Sequence, residues 1–186
     1  MAGEAIISEF KKRVERTLED LRRELSKVRT GRASTSMLDG IQVESYGTKM
    51  PLNAVATISV ADARTIVLKP FDKSQLGAIE KAILESDLGI TPQNDGSVVR
   101  LAFPPLTEER RKEIAKQVRK RGEDYKIAIR NARRDANDDI KKLAKEGGVS
   151  DDEEKRLLDQ VQKETDAGVA KVDDIVARKE KEIMEI

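Results

Sequence analysis

The chain has 186 residues, of which 38% are charged, 38% hydrophobic and 3% aromatic, and its formal net charge is +1. This composition favours long amphipathic helices around an aliphatic core, in one ordinary domain or two small ones. Cysteine and histidine are absent, which excludes disulfides, catalytic triads and most zinc sites. The longest uncharged apolar run, 54–61, is far shorter than the roughly 20 residues of a membrane span, so we expect a cytoplasmic protein.

Helical periodicity marks both ends of the chain. Apolar residues of 4–30 recur at steps of three and four, and Gly31 offers a C-terminal stop. A second helix should begin at Thr107, and a third at the capping box "SDDE" that starts at Ser150. The predicted buried stripes are Ile7, Phe10, Val14, Leu18, Leu21, Leu25 and Val28 in the first helix, Ile114, Val118, Tyr125, Ile129, Ala132, Ala136, Ile140 and Leu143 in the second, and Leu158, Val161, Val169, Val172, Ile175, Val176 and Ile183 in the third.

These helices need partners along one whole face, and an elongated antiparallel three-helix bundle provides them. A dimeric coiled coil is the alternative, but the short turn at 147–148 favours an intramolecular hairpin. Between 31 and 104 the pattern changes to short β-rich runs, "IQVESYG", "ATISV", "RTIVLKP" and "SVVRLAFP", around one helix near 74–84. We therefore predict an α+β fold in which a bundle of 1–30 and 105–186 carries an inserted small α/β domain, 31–104.

Two chain crossings, near 30–32 and 103–105, join the predicted domains. Two crossings restrict twisting but still allow a hinge. A glycine at one crossing and paired prolines at the other favour a compact corner. We predict that Gly31, Pro104 and Pro105 are the hinge residues.

The charge is segregated along the chain. From Arg110 to Arg134, eleven basic residues accompany three acidic ones, a local charge of +8, whereas 135–186 carries −6. On a helical wheel, six of these basic residues form a narrow band about a third of a turn from the apolar stripe. The band consists of Lys112, Lys116, Arg119, Lys126, Arg130 and Arg133. For any single arginine, a solvated face or a pair with acidic residues of the third helix is the better explanation. Because like charges at this spacing destabilise a helix slightly, the band as a whole favours a polyanionic ligand.

Folded RNA, gripped through its phosphates, fits this band best. Proteins that read single strands or loops usually stack aromatic side chains on the bases. Here Tyr125 belongs to the apolar stripe, and Tyr46, Phe71 and Phe103 fall in the inserted domain. The basic helix is therefore expected to recognise RNA by shape more than by base identity.

Two other classes of function remain open on these residues. A non-catalytic helical-bundle protein or chaperone would use the basic band to bind an acidic protein partner. An enzyme would have to work through Asp, Glu, Lys or Tyr alone. With 35 acidic residues, a chance pair of carboxylates at catalytic spacing is nearly guaranteed. We favour a binding protein, and predict no catalytic residue, metal site or cofactor.

Four segments resemble the bacterial ribosome recycling factor family. They are "RTGRAS" (29–34), "SDLGITPQNDG" (86–96), "PPLTEERRKE" (104–113) and "IRNARRDAND" (129–138). The resemblance runs the full length of the chain, with small departures at Ala132 and at Lys49 and Met50. It implies an L-shaped monomer of two domains, similar in outline to a transfer RNA and without an active site.

The resemblance also implies partners and contact residues. The family binds the post-termination 70S ribosome and, with elongation factor G and the GTP that this factor hydrolyses, separates the subunits for reuse. Its bundle contacts large-subunit ribosomal RNA. Carried onto matching positions, the resemblance implies that the RNA-binding residues are Arg29, Arg32, Arg110, Arg130, Arg133 and Arg134.

Overall fold

The structure, a computed structural model, describes residues 2–185. The chain forms two compact units, one of residues 2–28 and 112–185 and the other of residues 29–111. In chain order the elements are α1 (Ala2–Ser26), β1 (Gln42–Ser45), β2 (Thr48–Pro51), α2 (Leu52–Val55), β3 (Ala56–Asp62), β4 (Thr65–Pro70), α3 (Leu76–Glu85), β5 (Gln93–Asn94), β6 (Val99–Ala102), α4 (Glu108–Lys145) and α5 (Asp151–Met184). The predicted α+β class is confirmed. None of the described helices is long and apolar enough to cross a membrane.

Side-chain contacts define the directions of α4 and α5. Arg119 near the start of α4 bonds Glu180 near the end of α5, with 2.7 Å between Nε and Oε1. Further along α4, Arg133 Nη1 donates to Gln162 Oε1 at 2.8 Å, and Gln162 lies earlier in α5. The two helices are therefore antiparallel. Ser150 starts α5 as the capping box predicts, since its Oγ accepts the backbone N–H of Glu153 at 3.2 Å.

The first helix runs in the same direction as α5 and opposite to α4. Lys11 of α1 lies 3.7 Å from Glu164, and Tyr125 of α4 donates its hydroxyl to Asp20 of α1 at 2.6 Å. The predicted stripe of α1 is confirmed, because its members within the helix are all buried. Val28 lies beyond the last helical residue and is half-buried.

The stripes of the other two helices are confirmed in part. In α4, Tyr125 and Leu143 are only half-buried. In α5 the same holds for four predicted members, Leu158, Val169, Ile175 and Val176, whereas Leu157, which the prediction omits, is buried. Hydrophobicity also fails to reveal that two glycines, Gly122 and Gly168, belong to the core. Both lie where helices approach closely: a Cβ on Gly122 would stand 2.6 Å from a Val176 methyl carbon, and one on Gly168 3.0 Å from Val14.

The α/β unit contains an antiparallel four-stranded sheet of order β3-β4-β6-β5 and a β1-β2 hairpin. On β4, Ile66 and Leu68 pair in register with Leu101 and Val99 of β6, and all four side chains are fully buried. Helix α3 adds Ile79 to this core. Every predicted β-rich run contains a strand, but β2, β5 and α2 were missed because their sequences, "TKMP", "QN" and "LNAV", are too short or too polar to show a period.

The Tyr125 hydroxyl gives the bundle a predicted pH dependence. Burial, together with the hydrogen bond to Asp20, raises the pKa of Tyr125 to about 12. The folded state therefore favours the neutral phenol, relative to an unfolded pKa of about 10. This contribution to the free energy of unfolding should be complete below about pH 10 and should disappear as the pH rises toward 12.

We expect Tyr125→Phe to remove that contribution selectively. The variant should be less stable than the parent near pH 8, and the two should converge as the pH approaches 12. Urea unfolding of both proteins at several pH values measures the difference between their free energies of unfolding. The two proteins share the same lysines, so the titration of the lysines cancels in this difference. A constant difference between pH 8 and 11.5 would contradict the assignment.

Candidate nucleic-acid interface

The acidic residues of α5 neutralise one side of the basic helix α4. Arg119 bonds Glu180, and Lys126 forms ion pairs with Asp173 and Glu123. The hydrogen bond to Asp173, supported by Glu123, raises the pKa of Lys126, so the ammonium stays charged and engaged. Arg119 is exposed as predicted and Lys126 is half-buried, but the prediction that their charges are uncompensated was wrong, because both are paired within the bundle.

Arg133 also reaches α5 and is half-buried. Its Nη1 donates to Gln162, whose own Nε2 donates to Asp166 at 2.9 Å. The Nε of Arg133 is buried and has no hydrogen-bond partner in the described part of the chain. Arg133 therefore fixes α5 against α4, in contrast to a fully solvated arginine.

Among the exposed basic residues of α4 that form no ion pair within residues 2–185, four of those between Ile114 and Asp135 lie on one side of the helix. They are Lys116, Lys120, Arg130 and Arg134, and we call them the outer basic row. At about 100° per residue they share the side of α4 opposite its buried residues, and they extend over about 27 Å of helix. Ile127 lies on the same side and is 52% exposed. This surface presents uncompensated positive charge beside an unburied aliphatic side chain.

The remaining predicted RNA-binding residues, Arg29, Arg32 and Arg110, belong to the α/β unit. Arg29 Nη2 donates to the Pro104 carbonyl at 2.7 Å, and its guanidinium carbon lies 6.0 Å from the centre of the buried Phe103 ring. This is a cation–π arrangement. Arg29 therefore holds the first and last segments of the unit together, a structural role that its sequence motif did not reveal.

Arg32 and Arg110 are exposed. Arg32 forms no ion pair in the part of the chain that the structure describes. The backbone N–H of Arg110 donates to Thr107 Oγ1 at 3.1 Å, so Thr107 caps α4 as predicted. This capping orients the first turn of α4, where Arg110 lies.

The predicted hinge residues have distinct local environments. Gly31 is buried and adopts φ +87°, a left-handed conformation that favours glycine. Pro104 and Pro105 are exposed, and the carbonyl of Pro104 is fixed by Arg29. Their action as a hinge stays a prediction.

The chain is similar to named proteins over its whole length. A model of the family described as "Ribosome recycling factor" matches residues 21–184. The ribosome-recycling factor of Myxococcus xanthus is 52% identical over 186 residues, which cover 100% of both chains. That of Bacillus licheniformis is 53% identical over 181 residues, which cover 97% of this chain and 98% of the relative.

Two solved structures are also similar. A solution structure of the ribosome recycling factor has a TM-score of 0.81 and 39% identity, over 100% of this chain and 99% of that one. A second comes from models for the T. thermophilus ribosome recycling factor and the E. coli elongation factor G bound to the E. coli post-termination complex; it has a TM-score of 0.65 and 44% identity over 100% of both chains. With a family match across most of its length and relatives about half identical from end to end, the chain belongs to the ribosome recycling factor family.

Proposed function

We propose that this chain binds the post-termination 70S ribosome and, together with elongation factor G and GTP, separates it into subunits for reuse. The observation that carries the proposal is the outer basic row, an uncompensated cationic surface on a chain whose relatives are ribosome recycling factors. One solved relative is seen with elongation factor G on the post-termination complex. Transfer of that assembly to this chain is part of the proposal.

The outer basic row supplies the chemistry of RNA binding. Each lysine or arginine that neutralises a phosphate releases condensed counterions, which favours association without reading a base. Arg130 and Arg134 are one turn apart, so they project together toward neighbouring phosphates. Their planar guanidinium groups can each clamp a phosphate through two hydrogen bonds. The row therefore fits the backbone of folded large-subunit ribosomal RNA.

Arg133 and the arginines of the α/β unit have supporting roles in this proposal. Arg133 presents its remaining donors at the edge of the row while Gln162 fixes its position. Arg32 and Arg110 are exposed and add phosphate contacts of their own. Arg29 contributes by ordering the chain rather than by contacting RNA, because its hydrogen bond fixes the carbonyl of Pro104, one of the predicted hinge residues.

The proposal needs no catalysis by this chain. GTP is hydrolysed by elongation factor G, and the chain acts as a cytoplasmic monomer without a cofactor. Movement at Gly31, Pro104 and Pro105 would let the two units adjust on the ribosome while the partner acts. The work of separation thus comes from the partner, and this chain supplies the RNA-binding surface.

The decisive experiment is sedimentation of post-termination 70S ribosomes with this protein, elongation factor G and GTP, each omitted in turn. We expect free subunits only when all three are present. Intact 70S particles in the complete mixture, with elongation factor G shown to be active, would overturn the proposal. Binding that survives ribonuclease but is lost when ribosomal proteins are removed would instead favour an acidic protein partner.

A further inference from the structure

Two aromatic side chains of the α/β unit are exposed to solvent. Tyr46 is 79% exposed and Phe71 69% exposed, whereas Phe10 and Phe103 are 3% exposed. Exposure of a large apolar ring forgoes the hydrophobic stabilisation that its burial would provide. The chain has five aromatic residues, and two of them are therefore exposed on the same unit.

A hydrogen bond fixes Tyr46 in its exposed position. Tyr46 lies in the turn between β1 and β2 and adopts φ +50°, which is uncommon for a residue with a side chain. Its hydroxyl donates to the carboxylate of Asp72. This bond, followed by the Ser74 N–H at 3.0 Å, lowers the pKa of Asp72, so the carboxylate stays ionised as an acceptor. The hydroxyl of Tyr46 is thus held by a hydrogen bond while its ring stays exposed to solvent.

The same contact brings the second ring into position. Phe71 directly precedes Asp72, and its backbone N–H donates to the Val55 carbonyl at 3.0 Å. Pro70, the residue before it, is buried at the end of β4. Because the residues on both sides of Phe71 are held in place, the backbone position of Phe71 is also defined. Tyr46, bonded to Asp72, and Phe71, the residue before Asp72, are therefore two exposed rings that lie near each other, and we call them the aromatic platform.

Unpaired lysines lie next to the aromatic platform in the chain. Lys69 and Lys73 lie two residues before and after Phe71, and Lys49 follows the turn that carries Tyr46. All three are exposed, and none forms an ion pair within the described residues. Lys69 is exposed near the end of β4, and Phe71 follows directly after the last residue of that strand, Pro70.

Exposed aromatic rings beside unpaired lysines match one ligand chemistry. Bases of single-stranded RNA stack on aromatic faces, and their phosphates are held by neighbouring cations. The outer basic row of α4 lacks such rings and can hold only the backbone. An acidic protein segment would satisfy the lysines but would leave the ring faces without a planar partner.

We propose that the aromatic platform binds unpaired bases of an RNA loop, with Lys69 and Lys73 holding the adjoining phosphates. The RNA is ribosomal if the proposed function is correct. The chain would then hold ribosomal RNA in two ways: through phosphates along α4, and through stacked bases at the platform. The second contact is selective for unpaired nucleotides, whereas the first is not.

Nuclear magnetic resonance of the full chain tests the platform without the ribosome. A single-stranded RNA hexamer should shift the ring protons of Tyr46 and Phe71 upfield, and a blunt RNA duplex of the same length should not. Phe71→Leu keeps an apolar side chain but loses the aromatic face, and should weaken hexamer binding about 5- to 100-fold. Val60→Ala, which changes another exposed apolar residue of the same unit, should leave hexamer binding unchanged.

Photo-crosslinking then identifies the contact on the ribosome. With p-benzoylphenylalanine at position 71, irradiation with 70S ribosomes should label ribosomal RNA in a loop, and the same group at position 60 should label it far less. Ring shifts that are equal for hexamer and duplex, or label confined to ribosomal protein, would overturn the platform. Hexamer binding by a chain that fails to split ribosomes would contradict the proposed function and leave the platform standing.

Discussion

Ribosome binding should weaken sharply when Arg130 and Arg134 are both replaced by alanine, while the free energy of unfolding changes by no more than about 0.5 kcal/mol. Both side chains are exposed and form no ion pair in the described chain, so the fold does not depend on them. Each lost phosphate contact should reduce the slope of log affinity against log salt by about 0.7 to 0.9. The double variant should therefore lose about 1.4 to 1.8 of that slope.

A matched pair of controls separates RNA contact from bundle packing. Lys126→Ala also removes one positive charge from α4, but that charge is already paired with Asp173. We expect it to reduce stability while changing the salt slope little. Arg130→Lys keeps the charge of the outer basic row but loses the planar fork, and should recover only part of the affinity.

The measurement is equilibrium binding to 70S ribosomes at four or more salt concentrations, with urea unfolding of each variant in parallel. If the double variant binds with unchanged affinity and slope, the outer basic row is a solvated face without a ligand. Equal effects of Lys126→Ala and the double variant would show that nonspecific net charge, not position, controls binding. Either result would remove α4 from the proposed interface.

The helical half of the fold was largely readable from the sequence because its signals are local. Apolar steps of three and four on α1 and the capping residue Ser150 depend on near neighbours along the chain, and the structure confirms both. Burial of Gly122 was not readable, because it depends on Val176 of another helix. Periodicity gives the face of a helix but not the distance at which its partner packs.

Which positive charges of α4 are neutralised could not be read directly from the sequence. Periodicity alone assigned Arg119 and Lys126 to an exposed band, although α5 pairs both. A signal was nevertheless present: these two bases are seven residues apart, and so are their acidic partners, Asp173 and Glu180. Basic residues on one helix and acidic residues on an antiparallel neighbour can pair when both sets have the same seven-residue spacing. This prediction requires the hairpin of α4 and α5 to be assumed first.

The roles of individual arginines depended on contacts distant in the chain. Arg29 is 75 residues away from Pro104, whose carbonyl it binds, and its motif "RTGRAS" contains no indication of that partner. Arg130 makes no such long-range contact within the described residues, so its guanidinium group remains available to bind a ligand. Two arginines from similar motifs can therefore differ in role, one ordering the α/β unit and the other facing solvent.

The largest loss of stability is expected from Leu21→Ala or Ile140→Ala, each of which should cost about 2 to 5 kcal/mol. Both side chains are 0% exposed in the bundle. The chain has few aromatic residues, so small aliphatic neighbours must close the cavity, and close packing lets them do so only in part.

Glu19→Ala is the control on the solvent side of α1. Glu19 is exposed and forms no ion pair within the described residues, so its loss should stay within about 0.5 kcal/mol. Urea unfolding, followed by the helical signal, compares the three variants. Comparable losses at Glu19 and Leu21 would contradict the core assignment. Because α4 holds both Ile140 and the outer basic row, Ile140→Ala should also make ribosome binding fail at a lower temperature than in the parent, whereas Arg130→Ala should weaken it at every temperature.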